Sequence, residues 1–135
     1  MAVESGITMS LSIDDSGGVA RDIATEASTL DFATPREEQL ITGLDHSAQA
    51  RMQLLADFSA TLGLPGLDDA SNSTHAVFKT VSSTSVARTV TIAISGQTLA
   101  VEAFMMDYAF SRAQSGELSI SVPMVLANGS VPTWS

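Results

Sequence analysis

The sequence predicts a mainly β protein, an antiparallel β-sandwich or barrel with one short α-helix on its flank. Three observations predict this class. Apolar and polar residues alternate with a period of two along most of the chain, as they do in half-buried strands. Only one stretch has helical spacing, and clusters of Gly, Pro, Asn and Ser divide the chain into short segments. The 135 residues suffice for one domain, so we predict a single domain over residues 1–135.

The first predicted strand covers residues 7–14, where apolar side chains alternate with Thr, Ser and Asp. It ends at the turn sequence Asp-Asp-Ser-Gly-Gly. A second segment spans residues 31–44 and is broken by Pro35. Residues 48–58 alternate between apolar and mostly polar side chains, and although their composition also suits a helix, we predict a half-buried strand. The sequence Leu-Gly-Leu-Pro-Gly at residues 62–66 then predicts a break in the chain.

One helix is predicted over residues 69–80. The adjacent acids Asp68 and Asp69 can cap it by accepting hydrogen bonds from the free N–H groups of its first turn. Its apolar stripe has the i, i+3, i+4, i+7 spacing of a helix face that packs on a core. The stripe consists of Thr74, Val77, Phe78 and Val81.

Antiparallel hairpins are predicted after the helix. A strand at residues 89–94 is followed by a long strand at residues 99–113 and a returning strand at residues 118–126, with Gly-containing turns between them. Asn-Gly at residues 128–129 is a strong hairpin signal, after which we expect residues 131–134 to pair back. In the long strand, the side chains expected to share the core face are Phe104, Met106, Tyr108 and Phe110.

The chain is acidic, with a net charge of −9 from 15 acidic and 6 basic residues. This balance argues against binding nucleic acid through its phosphates and against a polybasic membrane anchor. Residues 1–81 carry −8 of this charge, and residues 82–135 carry −1. The apolar runs are short and the N-terminus lacks the pattern of a signal peptide, so we expect a protein made in the cytoplasm with no membrane anchor.

No motif in the sequence predicts an enzyme. The absence of Cys excludes a disulfide scaffold, a thiolate metal site and a Cys nucleophile. The Asp-Ser-Gly-Gly sequence at residues 15–18 resembles the nucleophile loop of serine proteases. However, the chain has only His46 and His75 as possible bases, and too few residues precede Ser16 to hold that family's upstream His and Asp. We therefore interpret this segment as a turn and predict no catalysis, no metal and no cofactor.

The order of these motifs resembles that of major tail proteins, the tail-tube subunits of long-tailed bacteriophages. The N-terminal sequence SLSIDDSGGVARDIA combines a strand, an acidic Gly/Ser turn and an Arg-Asp-Ile segment, as in that family. Pro-Arg-Glu-Glu at residues 35–38 leads to Gly-Leu-Asp at residues 43–45, and the predicted strand and short helix follow. Gly-Glu-Leu at residues 116–118 and a final Asn-Gly…Trp complete the pattern. The resemblance covers nearly the whole chain.

The resemblance implies a phage tail-tube-like fold and a structural virion protein without catalytic residues. Such subunits form hexameric rings that stack into a tube around a tape-measure protein, meet a tail terminator protein, and later conduct DNA. An acidic channel wall would repel phosphates, so DNA would pass without specific binding. We therefore expect the protein in the virion tail, after assembly in the host cytoplasm. The candidate acids of the channel wall or of ring-to-ring contacts are Asp14, Asp15, Glu37, Glu38, Asp45 and Asp57.

The candidate subunit interface is the weakly charged strand at residues 99–113, with Met105, Met106 and Tyr108. Two alternative functions stay open. The chain could be another ring-forming virion protein, such as a tail terminator or a head–tail joining protein, which would not polymerise. It could also be a monomeric β-sandwich binding module, for example for carbohydrates. Such modules usually display several exposed aromatic side chains, whereas only 5% of the residues here are aromatic.

Overall fold

Ten β-strands and one α-helix form the part of the chain that the structure, a computed structural model, describes: residues 9–68 and 73–135. The helix, α1, covers Thr74–Phe78. The predicted mainly β class with one short helix is therefore confirmed. The strands are β1 (Ser10–Asp14), β2 (Ala20–Asp22), β3 (Thr29–Ala33), β4 (Arg36–Leu40), β5 (Arg51–Ala56), β6 (Ser59–Leu64), β7 (Arg88–Ile94), β8 (Gln97–Met105), β9 (Ala109–Arg112) and β10 (Leu118–Leu126).

Eight of these strands form one antiparallel sheet, in the order β2–β1–β7–β8–β10–β6–β3, with β9 continuing β8 along the side of β10. One face of the sheet carries the hydrophobic core. The short helix α1 packs on this face, because its Val77 and Phe78 belong to the same core cluster as the buried side chains of the sheet. The buried core includes Leu11, Ile13, Ile23, Phe58, Leu62, Val77, Phe78, Val90, Ile92, Leu99, Ala103 and Val122.

Strand β1 follows the predicted alternation, with Leu11 and Ile13 buried in the core. The earlier part of the predicted strand, residues 7–8, lies outside the described residues. The turn after β1 is closed by the Asp15 carboxylate, whose Oδ1 accepts hydrogen bonds from the backbone N–H groups of Gly17 at 2.9 Å and Val19 at 3.0 Å. The Asp-Ser-Gly-Gly sequence is thus a turn, as predicted.

The helix is shorter than predicted, and residues 69–72, including Asp69, lie outside the described residues. Burial of Val77 and Phe78 confirms the predicted apolar stripe. The predicted cap is wrong, because the helix begins at Thr74 and its N-cap residue is Ser73. The backbone carbonyl of Asp68 accepts hydrogen bonds from the Ser73 hydroxyl and from the backbone N–H of the second helical residue.

Residues 48–58 do not form the single half-buried strand that their alternation predicts. Strand β5 is exposed on both faces apart from Ala56, and it pairs only with β4. The chain then breaks at Asp57 and Phe58, of which Phe58 is fully buried, before β6 begins. The predicted strand is therefore present over Arg51–Ala56, but the predicted burial of one face is wrong, because among the described residues no other strand pairs with this hairpin.

The predicted break at residues 62–66 starts only at Pro65. Leu62 and Leu64 are core residues at the end of β6, so the strand continues through Gly63. A Cβ atom on this glycine would overlap the Thr29 hydroxyl oxygen on β3. The glycine therefore leaves room for the Thr29 side chain of the neighbouring strand and does not mark a turn.

One extra residue interrupts the long predicted strand between β8 and β9. Met105 pairs with Met124 and Ala109 pairs with Ser121, so four steps on one strand face three on the other. This β-bulge shifts the alternation. Met105 is buried in the core, whereas Met106 is 61% exposed. The prediction of one shared core face is therefore wrong, because Phe104, Met106 and Phe110 are exposed and only Tyr108 of the four packs against the core.

The C-terminal segment pairs with β8, and not with the preceding strand as predicted. The backbones of Ser135 and Thr98 exchange two hydrogen bonds of 2.8 Å, and Trp134 bridges Leu99. The Trp134 ring also lies 6.1 Å from the ring of Phe32 on β3, measured between centroids. Because β10 pairs with β8 only near its end, the start of β8 has a free edge, which this segment fills.

Candidate assembly surfaces

Hydroxyl side chains are the most frequent kind on the face of the large sheet that points away from the core. We call this face the hydroxyl face. Strand pairing places direct partners such as Ser12 and Thr91 on the same side, opposite the core. An apolar pair, Phe104 and Val125, also lies here. The Ser and Thr residues of the hydroxyl face are Ser10, Ser12, Thr29, Ser59, Thr61, Thr89, Thr91, Thr98, Ser111, Ser119 and Ser121.

Within the described residues, every charged side chain that the register places on the hydroxyl face is an acid. Arg21 lies opposite Ile13, on the core side, and Arg88 is buried in the core. Glu102 accepts a hydrogen bond from the hydroxyl of Thr89, its direct partner on β7. The hydroxyl face therefore combines neutral hydroxyl groups with a net negative charge. Its acids are Asp14, Asp22, Asp31 and Glu102.

Residues 36–56 form a two-stranded hairpin that extends from the sheet between β3 and β6, and we call it the arm. The antiparallel ladder continues into it through a 2.9 Å hydrogen bond from the Asp57 N–H to the Pro35 carbonyl. Strands β4 and β5 then pair, with a register shift next to Arg36. The Arg36 guanidinium spans this shift by donating two hydrogen bonds, of 2.6 and 2.9 Å, to the Leu54 carbonyl.

Both sides of the arm carry exposed apolar side chains. Leu40 pairs directly with Arg51 and is 58% exposed on the side that we call the charged face, and Gln39 pairs with Met52 on the other side, which we call the apolar face. Glu38 and Arg51 share the charged face and form an ion pair, with 3.4 Å between Oε2 and Nε. Leu44, at the tip, is fully exposed. The large apolar side chains of the arm add nothing to the core of their own copy. Such exposure is typical of a surface that contacts another molecule. The apolar face consists of Ile41, Met52 and Leu54, which are 46%, 47% and 36% exposed.

The bulge between β8 and β9 turns large side chains toward the surface. Met106 and Phe110 are exposed, and Tyr108 is half-buried. The Tyr108 ring packs 5.7 Å from Phe78 and 4.7 Å from Phe110, and its hydroxyl lies 3.2 Å from His75 Nδ1. Burial raises the pKa of the Tyr108 hydroxyl. We call Met106, Tyr108 and Phe110 the bulge patch.

A buried arginine fixes α1 against the sheet, and the sequence analysis missed it. Arg88 is 1% exposed, and its guanidinium donates to the carbonyls of Val77 and Asp14 and to the Thr80 hydroxyl at 3.0 Å. Burial lowers the pKa of Arg88, while nearby carboxylates oppose that effect. The available signal was an arginine at the start of a strand whose alternate residues are all apolar.

The six candidate acids of the sequence analysis are not brought together. Asp14 lies on the hydroxyl face, but Asp15 forms an ion pair with Arg21 at 3.2 Å. Hydrogen bonds from the backbone N–H groups of Val19 and Gly17, together with the arginine, lower the pKa of Asp15. The other four belong to the arm or its base: Glu37, Glu38, Asp45 and Asp57. Asp22, Asp31 and Glu102 on the hydroxyl face were not among the candidates.

The three candidate interface residues differ in exposure. Met106 is exposed and Tyr108 is half-buried, so both can contact another subunit. Met105 is 8% exposed, and its side chain packs in the core. Its assignment to the interface is therefore corrected, and the bulge is the reason that adjacent methionines have opposite environments.

The described residues hold no constellation that suggests a metal or a membrane span. In residues 9–68 and 73–135, no three His, Asp or Glu side chains converge in a way that could hold a metal ion. Within the same ranges, no helix is long and apolar enough to cross a membrane.

Comparisons with known proteins find relatives by structure only. No protein-family model matches the chain, and no curated protein sequence does. A chain from the virion of a native gene transfer agent (GTA) particle aligns with a TM-score of 0.75 and 13% identity, over 98% of this chain and 99% of that one. A chain from the tail of an empty GTA particle with C6 symmetry gives 0.69 and 16%, over 98% of both chains.

Two further assemblies contain the same fold. The SPP1 tail tube aligns with a TM-score of 0.75 and 10% identity, over 98% of this chain and 79% of that one. The anti-feeding prophage (AFP) baseplate gives 0.64 and 10%, over 100% of this chain and 97% of that one. At such low identity the likeness establishes the fold. This chain has the fold of phage tail-tube proteins, as the sequence resemblance implied.

Proposed function

We propose that this chain is a structural subunit of a phage-type tail tube, in which six copies form a ring and rings stack into a hollow tube in the virion tail. The observation that carries the proposal is agreement in fold over nearly the whole chain with subunits from a C6-symmetric tail and from a tail tube. The role is mechanical, and we propose no catalytic activity. The partners would be further copies of this chain, with a tape-measure protein inside and a tail terminator protein at the end.

The hydroxyl face suits the channel wall of such a tube. It carries four acids and, among the described residues, no Lys or Arg. These acids would repel phosphates that come within about 8 Å, the Debye length at physiological salt. Its hydroxyl groups are neutral and short, and they offer no strong attraction to DNA. A basic wall would instead retain DNA by releasing its counterions.

A second role is favoured by one comparison, because the fold also occurs in a 6-fold symmetrised baseplate. A baseplate or joining ring differs from a tube subunit in that its rings do not stack on copies of themselves. Polymerisation of the purified protein distinguishes the two roles.

The test is electron microscopy of the purified full-length chain over a range of protein concentrations. Tubes with a six-fold symmetric cross-section and a central channel are the expected result. Single rings that never stack would favour the baseplate-type role. A chain that stays monomeric at every concentration would contradict both.

A further inference from the structure

An apolar patch interrupts the hydroxyl face where β8 and β10 pair. Phe104 lies directly opposite Val125, and each of the two side chains is 39% exposed. Pro123, two residues before Val125, lies on the same side of β10 and is half-buried. We call Phe104, Pro123 and Val125 the face patch. At its border the Met106 N–H donates a 2.9 Å hydrogen bond to the Pro123 carbonyl, so the face patch adjoins the bulge patch.

A groove beside the face patch enlarges this apolar surface. Its volume is about 300 Å³, and Phe104 lines it together with Val81 and Val86 from the segment that follows α1. Both valines are half-buried. An apolar side chain of a partner that lies across the face patch would fill the groove and remove apolar area of both molecules from water.

Acids flank the face patch on two sides. Glu102 precedes Phe104 by two residues on the same side of β8, which is about 7 Å along the strand. Asp31 lies on the other side, because it pairs with Thr61, and Thr61 pairs in turn with Pro123. Two strand spacings, about 10 Å, therefore separate Asp31 from the patch. These charges favour a partner whose apolar surface is flanked by basic residues.

The pairing of the strands determines which secondary structure the partner has. Val125 pairs with Phe104 on one side and with Ser59 on the other, so the edges of β10 beneath the face patch are occupied. A partner on this face therefore gains no ladder hydrogen bonds from the sheet. It must satisfy its own backbone groups, and an α-helix does so while it presents a continuous apolar stripe.

We infer that the face patch binds an amphipathic α-helix whose apolar stripe is flanked by Lys or Arg. The inference rests on the proposed function, in which the hydroxyl face is the channel wall, and adds to it a contact between this wall and the protein that fills the channel. DNA does not fit the patch, since its phosphates have the same sign of charge as Asp31 and Glu102. Six copies repeat the patch around a ring, so weak contacts add up on one long helix.

Peptide binding tests the face patch on the unassembled full chain, at a concentration below that at which tubes form. The probe is a synthetic, fluorescently labelled helical peptide of Leu and Lys with all leucines on one side. The control probes are a scrambled peptide of the same composition and a helix in which Glu replaces every Lys. We expect the amphipathic Leu/Lys helix to bind about tenfold more tightly than either control, as measured by fluorescence anisotropy.

Substitutions that extend the hydroxyl groups over the face patch locate the binding site. Phe104→Thr combined with Val125→Thr should weaken binding of the Leu/Lys helix by about tenfold and leave binding of the scrambled peptide unchanged. Phe110→Thr is the matched control, since Phe110 is 49% exposed but pairs with the buried Ile120 and so lies on the other side of the sheet. Circular dichroism checks that the variants are folded, as we expect for threonine at exposed strand positions.

Tube formation by the double variant distinguishes a helix from a second copy of this chain as the occupant. Tubes should still form, because in the proposed tube the face patch points into the channel. A folded double variant that forms no tubes would overturn the inference, since the patch would then be a contact between copies.

The remaining outcomes separate the inference from the proposed function. Preference for the Leu/Lys helix that the double variant loses and Phe110→Thr keeps would support the inference. Equal binding of the Leu/Lys helix and its scrambled control, or equal binding by the double variant and the unmodified protein, would overturn it and leave the tail-tube role intact. Unmodified protein that forms no tubes would refute the proposed function, and peptide binding then decides on the helix site alone.

Discussion

One buried residue, Arg88, holds the small helix α1 against the sheet. Arg88 supplies donors to the α1 carbonyl of Val77, to the Thr80 hydroxyl and to the Asp14 carbonyl at the end of β1. A buried guanidinium is costly to desolvate, and here hydrogen bonds to neutral acceptors offset that cost. Removing it leaves those acceptors without a donor in the core.

We predict that Arg88→Met lowers the free energy of unfolding by about 3 kcal/mol. The variant loses the hydrogen bonds of the guanidinium and leaves carbonyl groups unpaired in the core, and together these effects cost more than burial of the thioether gains. Urea denaturation measures this change. Arg112→Met is the control, since Arg112 is exposed and should change stability by less than about 0.5 kcal/mol. Equal effects of the two substitutions would contradict the assigned role of Arg88.

Glu26 makes the stability of the folded state depend on pH, and the direction of this dependence follows from the direction of its pKa shift. Its Oε2 is buried without a hydrogen-bond partner among the described residues. Burial is the main cause that raises the pKa of Glu26, and the neighbouring Asp68 carboxylate raises it further. The folded state therefore holds this proton more tightly than the unfolded chain. The resulting stability is present at pH below the unfolded pKa and is lost as the pH rises through the folded pKa.

Glu26→Gln should remove the loss of stability at high pH, because the amide stays neutral at every pH and its N–H can donate to a neighbouring carboxylate. We expect the Tm of the variant to exceed that of the unmodified protein at pH 7 and to approach it near pH 4. Thermal unfolding from pH 4 to 8 measures the difference. The exposed Glu117→Gln serves as control, and a parallel shift in both variants would show that burial of Glu26 is not the cause.

The bulge gives two adjacent methionines opposite roles, which paired substitutions can separate. Met105→Lys places an ammonium group in the core, so it should unfold the protein or lower its stability by several kcal/mol. Met106→Lys should leave the Tm nearly unchanged and weaken assembly, because its side chain is 61% exposed. Circular dichroism and electron microscopy report the two effects. If Met106→Lys assembles normally, the bulge patch is not a contact surface.

At the scale of elements, the arm is separate from the fold of its own copy. Every residue of β4 is exposed, and in β5 only Ala56 is partly buried. An isolated two-stranded hairpin is at best marginally stable in water. Its apolar side chains therefore contribute little to the stability of one copy and are available to contact another molecule.

Replacing residues 36–56 with Asn-Gly, so that Pro35 and Asp57 are joined by a tight turn, should leave a folded monomer with a Tm within a few degrees of that of the full chain. The core is kept because Phe58 and all of β6 remain. We expect this variant to form no tubes. Thermal unfolding and sedimentation measure the two properties, and a variant that still forms tubes would show that the arm is dispensable.

At the scale of the whole molecule, charge is distributed between two faces of different purpose. The hydrogen-bonded Arg88 is buried in the core, and Arg21 and Arg112 lie on the same side of the sheet opposite Ile13 and Leu118, whereas the hydroxyl face carries acids without bases among the described residues. In a closed ring, acids from six copies would surround one channel. Their repulsion of phosphates would then act together, so the wall as a whole matters more than any one carboxylate.

We predict that Asp31→Lys combined with Glu102→Lys yields tubes that retain DNA at physiological salt, whereas unmodified tubes do not. The lysines would bind phosphates by releasing counterions, so retention should fall steeply as salt rises. Co-sedimentation of DNA with tubes measures this. The double variant Asp31→Asn with Glu102→Gln is the control, because it removes the two negative charges without adding positive ones. Retention of DNA by unmodified tubes would contradict an acidic channel wall.

The sequence by itself determined the fold class, the single short helix and most strands of the C-terminal half. Alternation with a period of two over long segments identifies a strand and the side of it that faces a core, and only one segment has helical spacing instead. The alternation in β7 and β10 was read correctly for this reason. The same pattern in β5 was misleading, since alternation does not say whether another layer covers the strand.

Only the tertiary structure decided where the surfaces lie. The bulge depends on how β8, β9 and β10 pair, and a register shift of one residue exchanges buried and exposed side chains. Asp22 and Asp31 are only nine residues apart in the chain, but they lie on the two edge strands β2 and β3, and they share the hydroxyl face only through β1, β7, β8, β10 and β6. Local sequence encodes the period of each strand, but the faces that strands share are set by long-range pairing.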